Sequence, residues 1–437
     1  MGTGTGEGRG EDTGNGKGSG EDADNGKGSG EGAGTGEGPD SGTATGGADG
    51  PGGPGAPGPV APGPGDGGGA GGGLVGVRIV RQWTTWVPVV AVVVLALGWG
   101  RDLPGPFVAL VGACLIGSVL SAVHHAEVVA HRVGEPFGSL VLAVAVTVIE
   151  VGLIVMLMAG GGDKASTYAR DTVFAAVMIT CNGIVGLSLL VAALRRRVAV
   201  FNAEGSGGAL ATVITLAAMT LVLPSFTTSH PGPEFTGAQL VFAAVASLCL
   251  YGIFVGVQTV RHREYFLPIA PEADAAGDDW RASPPTLRET WWSLGLLFVA
   301  LLAVVGNAKL VSPAIEDGVE SAGLPKAVVG VVIALMVLLP ETLAAVRAAR
   351  RDRVQTSLNL AYGSAIASIG LTVPAIALAS VWLSGPLVLG LGPLHLALLA
   401  LTAAVSALTV VPGRANVLQG GVHLVLFAAF VFLSFSP

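Results

Sequence analysis

The pattern of apolar and polar positions divides the chain near residue 77. Before that point large apolar residues are almost absent; beyond it, long apolar runs follow one another with short polar links between them. A helix needs about 20 mostly apolar residues to cross the hydrocarbon core of a bilayer. Eleven stretches qualify: 84–100, 105–125, 136–159, 171–194, 208–224, 236–260, 290–308, 325–346, 356–383, 386–411 and 415–435. The pattern therefore predicts an all-α polytopic membrane protein of about eleven transmembrane helices. One long link interrupts it, 261–289, which carries the acidic residues Glu272, Asp274, Asp278 and Asp279.

Residues 1–77 are dominated by Gly, with Pro, Asp, Glu, Ser and Thr, and cannot bury enough surface to offset chain entropy. They are read as a disordered tail. It contains a tandem repeat, with Asn15–Glu21 recurring as Asn25–Glu31, and shows no apolar core of a signal peptide. The tail holds 11 acids and 3 bases, and the rest of the chain 19 acids and 20 bases. The net charge of -7 thus describes the tail, while the apolar part is close to neutral. Charged residues make up only 12% of the chain and mean hydropathy is +0.67; a soluble domain usually carries about 25% charge. Cys114, Cys181 and Cys249 all lie in apolar stretches, too far apart for a local metal motif.

Charge alternation tests the span count. With the N-terminus in the cytoplasm, Arg78, Arg81, Arg132, Arg195, Arg196, Arg197, Arg261, Arg263, Arg281, Arg288, Arg347, Arg350, Arg351, Arg353 and Arg414 fall on the inner side. The outer segments hold Arg101, Lys164, Arg170, Lys309 and Lys326, so the bias is 15 to 5. Positive residues favour the cytoplasmic side, and a missed span would scramble the pattern downstream of it. The expected location is the inner (plasma) membrane, with the C-terminus outside.

Setting the first span aside leaves two groups of five. An odd number of spans per group gives the groups opposite orientations, the plan of inverted repeats in secondary transporters. The expected organisation is a tail at 1–77, a first transmembrane helix within 78–104, a first repeat at 105–260, an acidic cytoplasmic linker at 261–289 and a second repeat at 290–437. Thr172–Leu187 can be laid over Thr356–Leu371 without gaps, pairing Thr180 with Ser364 and Gly186 with Gly370. Glu150 and Glu341 each fall in the second helix of their group.

Ionisable residues inside transmembrane segments are costly and mark functional sites by default. Only Glu150 and Glu341 sit well inside apolar runs. The bland alternative is a protonated glutamate held by a neighbouring helix for packing. Two buried carboxylates suit cation binding through oxygen or proton carriage, because burial and a second carboxylate both favour the acid form. A pair that holds either one divalent cation or about two protons, never both, is the physical basis of antiport. Calcium needs six to eight oxygens, and two glutamates supply at most four. Candidate supporting groups are Thr147, Thr180, Ser364 and Ser368, together with the carbonyl of Met336, which Pro340 deprives of its helical partner. Each hydroxyl taken alone reads more readily as helix-packing glue than as a ligand. Straight helices place Glu150 and Glu341 at different depths, so a shared site requires tilt or a break, for which Pro340 is the candidate. His124, His125, Glu127, His131 and Glu135 cluster at one cytoplasmic end, as a proton-sensing vestibule or as interfacial residues. His423, inside the last span, is expected to hydrogen-bond a neighbouring helix.

The stretch from His125 through His131-Arg132-Val133-Gly134-Glu135-Pro136 to Ser139 resembles bacterial calcium/proton antiporters of the ChaA type. So do Leu339-Pro340-Glu341, Tyr362-Gly363-Ser364, Leu371-Thr372-Val373-Pro374 and Gly413-Arg414-Ala415-Asn416-Val417-Leu418. The resemblance runs from about residue 84 to the C-terminus. It implies the cation/proton exchanger branch of the sodium/calcium exchanger superfamily, ten helices in two inverted repeats plus one N-terminal helix, and Glu150 and Glu341 as the glutamates of the two signature repeats. It also implies an acidic segment between repeats, matching 272–279. The Gly-Asn that precedes each glutamate in most of the wider family is absent; Val146–Ile149 and Val337–Pro340 stand there instead.

The resulting expectation is a proton-driven antiporter, not an enzyme, exporting Ca²⁺ or alternatively Na⁺ or K⁺, with no cofactor and no partner beyond lipid, inorganic cations and protons. Nucleic acid is not an expected partner. No Walker-type phosphate loop is present, since the Gly-rich tail lacks the Gly-Lys-Ser/Thr ending. The alternatives are a passive cation channel and a monovalent cation/proton antiporter that does not move Ca²⁺.

Overall fold

The computed structural model describes residues 2, 71–101, 103–134, 137–160, 166–267, 285–325, 327–382 and 386–436. Most of the tail, the acidic run 272–279 and Glu135 lie outside the described residues.

The described residues are mostly helical. In chain order the helices are α1 (Gly71–Gly98), α2 (Gly105–Val133), α3 (Phe137–Gly160), α4 (Tyr168–Met178), α5 (Val185–Arg196), α6 (Ala203–Ala217), α7 (Gly237–Gly256) and α8 (Leu287–Ser321). They continue with α9 (Ala327–Val337), α10 (Leu339–Arg350), α11 (Val354–Ala379), α12 (Pro393–Val410) and α13 (Val417–Phe435). A π-helical turn, Ile179–Ile184, joins α4 to α5 into one span. Among the described residues nine helices are long and apolar enough to cross a membrane, and the bent pair α9–α10 makes a tenth. In α1 the described apolar stretch is shorter, Trp83–Gly98. α1 begins at Gly71, ahead of the start that the apolar pattern gives it.

Local sequence explains where these helices begin. Thr236 and Gln239, Thr286 and Glu289, and Asn416 and Gln419 each form a reciprocal capping box, which satisfies backbone donors that a helix start leaves without partners. Asn202 caps α6 through the Gly205 N–H. The exposed faces of α1, α7 and α12 carry large apolar residues such as Trp86, Phe242 and Leu408, as expected of surfaces that meet lipid.

The two groups of five helices pack in equivalent pairs. Their first helices, α2 and α8, lie against each other. The second helix of each group meets the third of the other, α3 on α11 and α9 on α4. The fifth helix of each also meets the third of the other, α7 on α11 and α13 on α5. Exchanging the groups preserves these contacts, as inverted repeats require. α1 is added to this frame through polar contacts: Ser121 Oγ donates to the Thr84 carbonyl (2.6 Å) and Asn307 Nδ2 to that of Ala91 (3.1 Å). Such hydrogen bonds help hold helices together where lipid supplies no hydrophobic drive.

The connections sort by end. At one end Ala199–Val200 (β1) pairs antiparallel with Arg414–Ala415 (β2), Arg196 bridges Asp352 at 3.0 Å, and Arg132 reaches the Pro285 carbonyl. At the other, Val388 bridges Glu234, the Val388 N–H donates to Ser166, and Arg170 reaches the Gly390 carbonyl. These are the same two sets that charge alternation separates.

Candidate cation site

α3 runs unbroken through Glu150, and Gly152 lets α8 approach closely: a Cβ there would lie 2.6 Å from Val305 Cγ2. The matching span of the second group is broken. α9 ends at Val337, Leu338 leaves helical geometry (φ -85°, ψ 0°), and α10 departs at 54°. Pro340 accounts for the break, since its ring would collide with the carbonyl of Met336 and it has no N–H to donate. In the first turn of α10 that missing N–H costs nothing. Glu341 therefore stands at a helix N-terminus, where the peptide dipoles favour negative charge.

The bend removes the depth mismatch expected of straight helices. Glu150 and Glu341 line one cavity of about 240 Å³, walled by α3, α7, α11 and the α9–α10 break. It extends past Gln258, Thr356 and Asn359 toward the arginine-bearing end. Asn359 Nδ2 donates to the Phe266 carbonyl (2.7 Å), which fixes this polar lining to the chain leaving α7. Tyr251 and Phe254 supply an aromatic wall.

The two carboxylates have unequal surroundings. Glu150 is almost fully buried; Ser368 Oγ donates to its Oε1 at 2.6 Å and Thr372 Oγ1 to its Oε2 at 3.1 Å. Glu341 is half-buried, yet its Oε2 is enclosed and lacks a hydrogen-bond partner among the described residues. Among those residues no group of three or more His, Cys, Asp and Glu converges. A cation held here would complete its shell from neutral oxygens.

Of the groups named from sequence, Thr147, Ser364 and Ser368 line the cavity beside the glutamates. Thr180 is fully buried and returns its hydroxyl to the Ala176 carbonyl at 2.7 Å. Met336 is half-buried against the apolar cluster that includes Leu115, Ile149 and Val304. Neither lines the cavity, and nor does Pro340, which acts through the break. His125 turns to α1, with Nε2 3.1 Å from the Thr84 carbonyl. Glu127 lies within electrostatic reach of Glu341 and Arg347, while His131 is exposed. His423 makes the expected interhelical bonds: Nδ1 meets Asn182 Oδ1 and Nε2 meets Thr409 Oγ1, both at 3.1 Å, and Asn182 Nδ2 donates to Thr402. Sequence reading missed Thr372, Gln258 and Asn359. Thr372 was within reach, because Ser364, Ser368 and Thr372 recur every four residues and so share one helix face.

One model of the sodium/calcium exchanger protein family matches the chain twice, at residues 106–260 and 292–436. The chain belongs to that family. The double match coincides with the two helix groups. The Sinorhizobium fredii protein y4hA, described as an ionic transporter, is 45% identical over 362 residues, covering 81% of this chain and 96% of that one. The sodium-potassium/proton antiporter ChaA of Escherichia coli is 36% identical over 355 residues, covering 80% and 95%. Among solved structures, the H⁺/Ca²⁺ exchanger CAX superposes with a TM-score of 0.60 at 15% identity, covering 81% of this exchanger and 88% of that chain. At that identity the likeness shows the fold. This exchanger is thus a membrane transporter built from two inverted repeats.

Proposed function

We propose that this exchanger is a proton-driven antiporter that exports Ca²⁺, or Na⁺ or K⁺, across the inner membrane through Glu150 and Glu341. The observation that carries the reading is the meeting of the two glutamates, one from each repeat, on the wall of one cavity. Two carboxylates that share a small volume are poorly tolerated as two bare anions in a low-dielectric site. They are neutralised either by about two protons or by a cation. Since one occupant excludes the other, each transit in one direction carries cation and each return carries protons. Ser364, Ser368 and Thr147 offer neutral oxygens to the cation, and Gln258 and Asn359 line its path from the arginine-bearing end.

The arginine bias supports a cytoplasmic position for that end, with the N-terminus inside and the C-terminus outside. The cavity then takes cation from the cytoplasm. The name of the E. coli relative, which specifies sodium and potassium, supports a second version in which monovalent cations are the cargo and Ca²⁺ is not moved.

Everted vesicles energised by respiration test the reading. Adding the transported cation should release the proton gradient, and Glu150→Gln and Glu341→Gln should each abolish the release. Full exchange in both variants overturns the site. Cation flux that persists without a pH gradient, with no proton movement, overturns coupling and favours a channel. Comparing CaCl₂, NaCl and KCl separates the two antiport versions.

A further inference from the structure

The two repeats hold their glutamates differently, and the difference can be read position by position. Laying Thr172–Leu187 over Thr356–Leu371 and continuing one residue pairs Ile184 with Ser368 and Ser188 with Thr372. In the second repeat both positions carry hydroxyls that grip Glu150, one on each carboxylate oxygen. In the first, Ile184 has no hydroxyl, and Ser188 shares a 2.7 Å hydrogen bond with Ser357 Oγ. Glu341 has an enclosed oxygen, Oε2, without a hydrogen-bond partner among the described residues.

The two hydroxyls on Glu150 differ in turn. Ser368 lines the cavity; Thr372 does not and is fully buried one turn further along α11, away from the arginine-bearing end where that helix begins. Thr372 thus holds Oε2 from behind the cavity wall. We propose that Thr372 is a positioning residue for cation binding: through its hydrogen bond it fixes the Glu150 carboxylate in one orientation before the cation arrives, while Glu341 is left to be completed by the cargo. The proposal rests on the reading of Glu150 and Glu341 as the transport site. Its physical basis is preorganisation. A carboxylate already oriented spends less of the cation's binding energy on ordering, and a donor placed on a carboxylate oxygen makes a strong, directional bond.

The test uses the full-length exchanger in everted vesicles, with CaCl₂ and NaCl as probes and the amount of protein in the membrane measured in parallel. Thr372→Val keeps the shape and removes the hydroxyl. It should raise the half-saturating cation concentration about threefold or more and leave the maximal rate within about twofold. Thr372→Ser, which restores the hydroxyl, should return the half-saturating concentration to the native value. A Thr372→Val exchanger with native half-saturation overturns the proposal, and so does a Thr372→Ser exchanger as impaired as Thr372→Val, since shape and not the hydroxyl would then matter. If Thr372→Val fails to accumulate, Thr372→Ala carries the same expectation; failure of both to accumulate also overturns it, because Thr372 would then serve folding. Glu150→Gln in the same vesicles separates the two levels: retained exchange removes the site reading, whereas lost exchange beside a native Thr372→Val removes this inference alone.

Discussion

Glu150 and Glu341 are the same residue type at matched positions, yet they do different work in this structure. Glu150 is held on both carboxylate oxygens by α11, and Glu341 stands at the start of a helix with one oxygen unpartnered among the described residues. Shortening them should therefore have unequal effects. Glu150→Asp withdraws the carboxylate from both hydroxyls at once, and exchange should fall about tenfold or more. Glu341→Asp should keep measurable exchange with a raised half-saturating cation concentration. The vesicle assay decides, and the reverse ranking would contradict the assignment. A second residue-scale test concerns His423 of α13, which bonds Asn182 in the π-helical turn between α4 and α5 and Thr409 of α12. His423→Ala strands these buried partners at a cost of about 1–3 kcal/mol. The purified protein in detergent should melt at a lower temperature; an unchanged melting point would show that the network does not contribute.

At the scale of elements, the break between α9 and α10 is the feature on which the site depends. Sequence marked Pro340 as the candidate, because proline removes a donor and crowds the preceding turn. The direction of α10 and the distance it carries Glu341 were not legible, since they follow from how α10 packs on α5 and α11. Pro340→Ala allows the helix to continue straight. Exchange should fall about fivefold or more, with the protein still accumulating in the membrane; native exchange would mean that the bend is held by packing alone. The close approach of α5 and α13 belongs to the same scale. A Cβ on Gly420 would lie 2.7 Å from the Leu190 backbone nitrogen. Gly420→Ala should therefore lower the melting temperature, measured as for His423.

For the whole molecule, the pairing of helix groups and the sorting of loops to two ends agree with a chain that threads a bilayer in alternation. The sidedness is tested with an impermeant maleimide on a background in which Cys249 is serine. A cysteine introduced at Arg197 should react in everted vesicles only, and one at His230 in intact spheroplasts only. Labelling of both from one side would overturn the topology.

The sequence by itself determined which stretches form apolar helices, which loops share an end and that two glutamates lie in matched places. These are properties of contiguous residues: partition into hydrocarbon depends on local composition, and orientation on charges near span ends. Only the tertiary structure decided that the glutamates share a cavity, that Ser368 and Thr372 serve Glu150 while Thr180 bonds its own helix, and that His125 turns to α1. Those outcomes depend on how each helix is rotated about its axis and on contacts between residues more than two hundred positions apart, such as Glu150 with Ser368 and Thr372. Hydropathy is indifferent to both, because a hydroxyl satisfied within its own helix and one offered to a neighbour read the same along the chain.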